Sequence, residues 1–266
     1  MRKHPFRVAI ESGAKRDELA KLFSPHAEIW PPMLTKPVSG ADNVLDIISA
    51  AASIAGPIKY LYEASDTRQT FLIWQGKVDG HRVQACTILV DGEDGLVQQV
   101  RVLMRPWPVS KLFRDAIYKV FAASIPKDSW ELGPKPATTG PRQFTPIALK
   151  QIDLSPDIVL HSPILGKSVA GKERVSRAVG LAHQVQSASS YTSIIATPDL
   201  IIELFDCDAD GYPMEGMWIQ KLNGQGLIDD LTVMLRPWPA VTVLHDHTKA
   251  LDEAGGGIGP EYWVLK

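Results

Sequence analysis

The tetrapeptide Arg105-Pro106-Trp107-Pro108 returns as Arg236-Pro237-Trp238-Pro239, 131 residues further on. Sliding the chain by that offset, without a gap, places Ser24-Pro25 on Ser155-Pro156, Gly40 on Gly171, Tyr60 on Tyr191, Asp79-Gly80 on Asp210-Gly211 and Gly95-Leu96 on Gly226-Leu227. From Ser24 to Pro108 there are 20 identities in 85 positions, where average composition yields about five by chance. A duplication constrains the fold before any element is read, because both halves must build one and the same unit. The 266 residues then divide into two units of ordinary domain size. Ile125 to Arg142 holds Pro126, Gly133, Pro134, Pro136, Gly140 and Pro141 and reads as a linker or extended connection. The expected boundary is therefore near residue 130, with domains 1–130 and 131–266.

Each copy reads in the same order. Phe6 to Phe23 has helical periodicity, followed by a short strand from Ala27 to Trp30 and a proline-rich turn. Gly40 precedes a second helix, Ala41 to Ala55, whose apolar residues are Val44, Ile47, Ile48, Ala51 and Ala52. Four strands are predicted at Ile58–Ala64, Thr70–Gly76, Arg82–Val90 and Leu96–Met104, joined by Asp-Gly turns suited to hairpins. A helix capped by Ser110 follows and runs to Ser124. In the second copy the opening helix is eroded, since Thr138 to Gln151 contains Gly140, Pro141 and Pro146. Helices first and a meandering antiparallel sheet afterwards make an α+β pattern.

Lys and Arg number 28 against 30 Asp and Glu, a net charge of −2, so no nucleic-acid or anionic-membrane footprint exists in the balance. Cys86 and Cys207 alone do not make a disulfide framework, and a reducing, cytoplasmic setting is the expectation. Val44 to Leu61, the longest apolar stretch, is broken by Asp46, Pro57 and Lys59 and falls short of a membrane span. No signal-peptide core follows the basic start.

Glu11-Ser12-Gly13 with Leu19 to Trp30, Pro32 to Gly40 before a helix, and Gly95-Leu96-Val97 entering the last strand resemble the nuclear transport factor 2-like, SnoaL-like superfamily. The resemblance implies two tandem cone-shaped barrels, each a curved antiparallel sheet covered by helices. It extends over Phe6 to Trp107 and Leu154 to Trp238. It also implies an intramolecular pseudo-dimer, sheet against sheet, through the face of Gln99, Arg101, Leu103 and Arg105 and that of Asp230, Thr232, Met234 and Arg236. The opposite faces, Val100, Val102 and Met104 and then Leu231, Val233 and Leu235, would line the pockets, and all six are apolar. Activity is not implied, because this superfold hosts many chemistries.

The acid–base positions of the ketosteroid isomerases of this fold fall here on Phe6, on Pro31 or Ser162, and on Thr87 or Trp218, none of them a base. SnoaL-type cyclases carry their acid at the position of Thr87 and Trp218 as well. In the second copy His183 replaces Ala52 on the pocket-covering helix. With Ser162, Tyr191 and Trp218 it would make an amphipathic cavity holding one group that titrates near neutrality. Other candidates read as structural: Asp206 to Gly211 as an acidic hairpin rather than a calcium loop, since position 12 is Met217; His245-Asp246-His247 as a solvated helix end; and Asp157 with His161 as strand residues facing away from the pocket. The repeated Arg-Pro-Trp-Pro reads as a strand end, with Trp packing and Arg at the rim of the interface. No metal or cofactor is expected.

The functional expectation is therefore a binding module for a small, mostly apolar molecule, polyketide-, terpenoid- or steroid-like. The alternatives are an isomerase, dehydratase or hydrolase built around His183, and a scaffold whose pockets are merely cores. The asymmetry between copies suggests that one pocket has a ligand role and the other is structural.

Overall fold

The 131-residue period carries over into three dimensions. The computed structural model describes residues 3–135, 153–255 and 257–265. The first half runs α1 (Pro5–Ser12), α2 (Arg16–Ala20), β1 (Phe23–Trp30), β2 (Val38–Ser39), α3 (Ala41–Ala55), β3 (Lys59–Ser65), β4 (Gln69–Val78), β5 (His81–Asp91), β6 (Val97–Arg105) and α4 (Trp107–Phe121). The second runs β7 (Leu154–His161), β8 (Val169–Ala170), α5 (Lys172–Val185), β9 (Gln186–Ala196), β10 (Leu200–Ala209), β11 (Tyr212–Leu222), β12 (Ile228–Arg236) and α6 (Trp238–Gly255). Strands β1, β2, β4, β5 and β6 begin and end 131 residues before β7, β8, β10, β11 and β12. Asp79-Gly80 (φ 49° and 80°) and Asp210-Gly211 (φ 50° and 86°) both have positive φ, as a two-residue type I′ hairpin turn requires.

Three elements differ from expectation. The opening helix is two short helices, because Gly13 adopts a left-handed conformation (φ 70°) that caps α1, and β1 already begins at Phe23. Pairing decides the latter, since Phe23 bridges Val97 of β6. Helix α4 starts at Trp107 with Pro108 in its first turn, not at Ser110, because proline suits a helix start. The stretch after it is not a free linker: Ile125 and Trp130 are buried against the first core. The eroded helix expected from Thr138 to Gln151 lies outside the described residues.

Each half curls the antiparallel strands β3-β4-β5-β6, or β9-β10-β11-β12, with β1 or β7 parallel to the last strand. Strand alternation splits the side chains between two faces. Leu72, Trp74, Ala85, Leu89, Val100 and Met104 face inward with α3 and α4. From the outer face Phe71, Ile73, Cys86, Ile88 and Leu103 join Ile202, Leu204, Met217, Ile219 and Met234 of the second half in one buried cluster. Two apolar sheet faces thus cover each other. The sheets are not separate, however: Leu235 bridges Met104 where β6 and β12 meet, so one path of strands crosses both halves.

The contacts at the seam are reciprocal. Trp107 N–H donates to the Pro163 carbonyl at 2.7 Å, and Trp238 N–H to the Pro32 carbonyl at 2.7 Å. The two indoles stack, with centroids 6.0 Å apart and planes at 9°. Arg105 and Arg236 are only 8% and 7% exposed, so they lie inside the seam rather than at its rim. Burial lowers the pKa of both guanidinium groups, that of Arg105 to about 10. Glu215 pairs with Arg101 and, at 3.5 Å, with Arg236. Among the described residues no helix is long and apolar enough to cross a membrane.

Candidate ligand-binding site

The first cone encloses a cavity of about 460 Å³. Its floor is the inward face of the sheet, with Trp74 from β4, Thr87 from β5 and Val100, Val102 and Met104 from β6. Ile47, Ile48 and Ala51 of α3 form the roof, and Phe113, Ile117 and Phe121 of α4 one side. Phe6, Pro31 to Leu34, Tyr60, Ile125 and Trp130 are among its other lining residues. The site thus gathers Thr87, Val100, Val102 and Met104 of the residues expected from the sequence.

Polar groups on this wall are few. Trp74 Nε1 donates to Thr87 Oγ1 at 3.0 Å, which leaves the threonine proton for another acceptor. Burial pushes the Tyr60 phenol well above its ordinary range, and the Arg7 guanidinium sits 4.9 Å from its ring centroid. Glu11 also touches the cavity, and its carboxyl is held below the usual range by hydrogen bonds from Lys3 and Arg7. Phe6, Pro31 and Thr87, at the acid–base positions named above, all line the cavity and supply no titratable group.

The second cone is nearly filled. About 40 Å³ is left among Ser162, His183, Phe205, Trp218, Val233 and Leu235, space on the scale of one or two waters. Trp218 stands where the first copy has Thr87, with its ring 5.9 Å from that of Phe205. Phe205 in turn lies over Gly216, where a Cβ would meet its Cζ at 2.3 Å; the first copy has Ala85 at that position. Ile258 and Trp263 also line the remnant, and Trp263 Nε1 donates to the buried Asp252 at 2.8 Å.

Ser162, His183, Trp218, Val233 and Leu235 therefore come together, but around a remnant of space. Two of the expected lining residues do not take part. Leu231 is wholly buried in the core and Tyr191 lies on edge strand β9, its ring 6.4 Å from Phe205. Burial lowers the His183 pKa. His245 is a further correction: 5% exposed on α6, it stacks on Trp107 at 3.8 Å and meets Trp263 edge-on at 5.4 Å, so it is no solvated helix end. His161 contacts Ser168 and Asp230, and Asp206 to Gly211 spans the end of β10 and the hairpin turn into β11.

Sequence reasoning missed the contribution of α4 and of Ile125 and Trp130 to the first cavity. The signal was present, since Ile125 and Trp130 recur as Ile258 and Trp263 at an offset of 133. A gapless comparison passes over a two-residue insertion.

No family model and no curated protein matches the chain. Its structural neighbours are nuclear transport factor 2-like, cystatin-like and ketosteroid isomerase-like folds. A protein with a cystatin-like fold from Silicibacter pomeroyi is 21% identical, with a TM-score of 0.42, over 46% of this chain and 88% of its own. A steroid delta-isomerase from Pseudomonas aeruginosa is 20% identical, with a TM-score of 0.41, over 44% of this chain and 87% of its own. A nuclear transport factor 2-like protein of unknown function from Cytophaga hutchinsonii is 13% identical, with a TM-score of 0.33, over 40% and 88%. Each alignment spans less than half of this chain and most of the neighbour.

Proposed function

We propose that the chain binds one small, mostly apolar molecule, polyketide-, terpenoid- or steroid-like, in the cone of its first copy. The observation that carries this reading is the contrast between a cavity of about 460 Å³ and one of about 40 Å³. The larger lies in the usual range for small-molecule sites, apolar with a few polar groups. A scaffold role would have both cones filled, as the second one is. Catalysis around His183 is disfavoured by the same contrast, because the space beside it does not admit a substrate of this size.

In this reading the two domains, 1–130 and 131–266, form an intramolecular pseudo-dimer. The reciprocal bonds of Trp107 and Trp238 support it, since an isologous interface repeats each contact with the halves exchanged. Linking the copies keeps even a weak interface populated.

The test is a titration of the full chain with N-phenyl-1-naphthylamine, an uncharged apolar fluorophore, followed by displacement with steroid, terpenoid and polyketide panels. One probe per chain is expected. Thr87→Trp, which places the second copy's residue in the first cavity, should abolish binding while the chain stays folded. Absence of binding by the unaltered chain, or full binding by Thr87→Trp, overturns the reading.

A further inference from the structure

The segment Pro31 to Leu34 is a wall of the first cavity, and all four of its residues face it. Pro31 and Pro32 lack N–H groups, so the carbonyls are the main handles by which this backbone is held. Two of those carbonyls are held from the second copy. Trp238 N–H donates to Pro32 O at 2.7 Å, and Arg236 Nη2 donates to Leu34 O at 3.4 Å. The Arg236 guanidinium also lies 5.2 Å from the centroid of Trp30, the residue before this segment. On its other side it pairs with Glu215 at 3.5 Å. Within the first copy the segment is tied by Leu34 N–H to Pro31 O at 3.4 Å, by the pairing of Trp30 with Arg101 of β6 just before it, and by Thr35 N–H to Ser129 O at 2.8 Å just after it; none of these holds the Pro32 or Leu34 carbonyl.

Resting on the reading of the first cavity as the binding site, we infer that Arg236 is a positioning residue for that cavity. The second copy completes the site without touching the ligand: it fixes the backbone that shapes one wall. The arrangement explains why a copy with a filled cone retains its strand end and seam. It also has a built-in control. Arg105, the counterpart of Arg236, is as deeply buried and donates from Nε to Ser162 O of the second copy at 3.1 Å. It therefore holds the equivalent segment of the filled cone.

Arg236→Met and Arg105→Met keep most of the side-chain volume and remove the donors and the charge. Both are expected to lower the unfolding midpoint. At a temperature where both are folded by near-ultraviolet circular dichroism, Arg236→Met should bind N-phenyl-1-naphthylamine on the order of tenfold more weakly, the scale of one lost charged hydrogen bond. Arg105→Met should bind as the unaltered chain does. Arg236→Lys, which keeps a donor and a cation over Trp30, should recover most of the affinity. Equal losses in the two Met variants, or no loss in Arg236→Met, overturn the positioning role while the binding reading stands. If Arg236→Met does not fold, Trp30→Leu removes the platform beneath the guanidinium, and undiminished affinity there overturns the role. Failure of the unaltered chain to bind the probe is the separate failure of the binding reading and removes the positioning role with it.

Discussion

Trp218→Ala reopens the second cone. Trp218 is 4% exposed, packs on Phe205 with ring centroids 5.9 Å apart and borders the 40 Å³ remnant. Removing a buried indole costs about 3–5 kcal/mol, the lost transfer energy plus the cavity left behind. For a cooperative unit of 266 residues, unfolding entropy near 2.1 cal/mol/K per residue turns that cost into a fall of about 5–9 °C in Tm. The cavity gained lies between Val233, Leu235 and α5, the counterpart of the first copy's site. The variant is therefore expected to lose stability and gain a second probe site. Calorimetry measures the first effect, and titration with N-phenyl-1-naphthylamine at saturation measures the second, with stoichiometry rising from one to two. A fall of less than about 2 °C, well below the range derived above, together with an unchanged stoichiometry of one, would refute the view that Trp218 fills this cone.

Glu215→Gln leaves the guanidinium groups of Arg101 and Arg236 facing each other across the seam, where Arg236 is buried. Breaking a buried pair from one side costs about 3–5 kcal/mol, to be read from denaturant midpoints at constant m. Burial lowers the His245 pKa below 6.5, against the opposing hydrogen bond to Asp246. Its contribution to stability is complete above that unfolded value and is lost as pH falls from there toward the lowered folded pKa. His245→Phe keeps a ring against Trp107 and Trp263 and should flatten this part of the dependence of Tm on pH. An identical slope in the two proteins between about pH 7 and pH 5 would exclude His245 as its source.

Much of this architecture is legible in the residues. Helix α3 spans Ala41 to Ala55 as its 3.6-residue pattern indicates, and β4, β5 and β6 fall within two residues of the predicted strands at each end. Asp79-Gly80 and Asp210-Gly211 turn as their chemistry dictates. Alternation along β6 separates Val100 and Met104, which face the cavity, from Leu103, which enters the seam. These are local signals, since backbone sterics and strand alternation act over a few residues.

The state of the cavities belongs to tertiary structure. Whether a cone stays open is a sum of side-chain volumes brought together from distant strands and helices, and Thr87 in the open cone stands where Trp218 fills the other. His245 reads in sequence as a polar helix residue, yet it is covered by Trp107 from 138 positions earlier. Arg236 reads as a strand-end charge, yet its guanidinium lies over Trp30 and reaches the Leu34 carbonyl of the other copy. The sequence by itself determined the period, the elements and the two faces of each sheet, because those follow from neighbouring residues. Only the folded chain decided which face closes, which charge is buried and which copy keeps room for a ligand, because packing is settled by whatever residues the fold brings into contact.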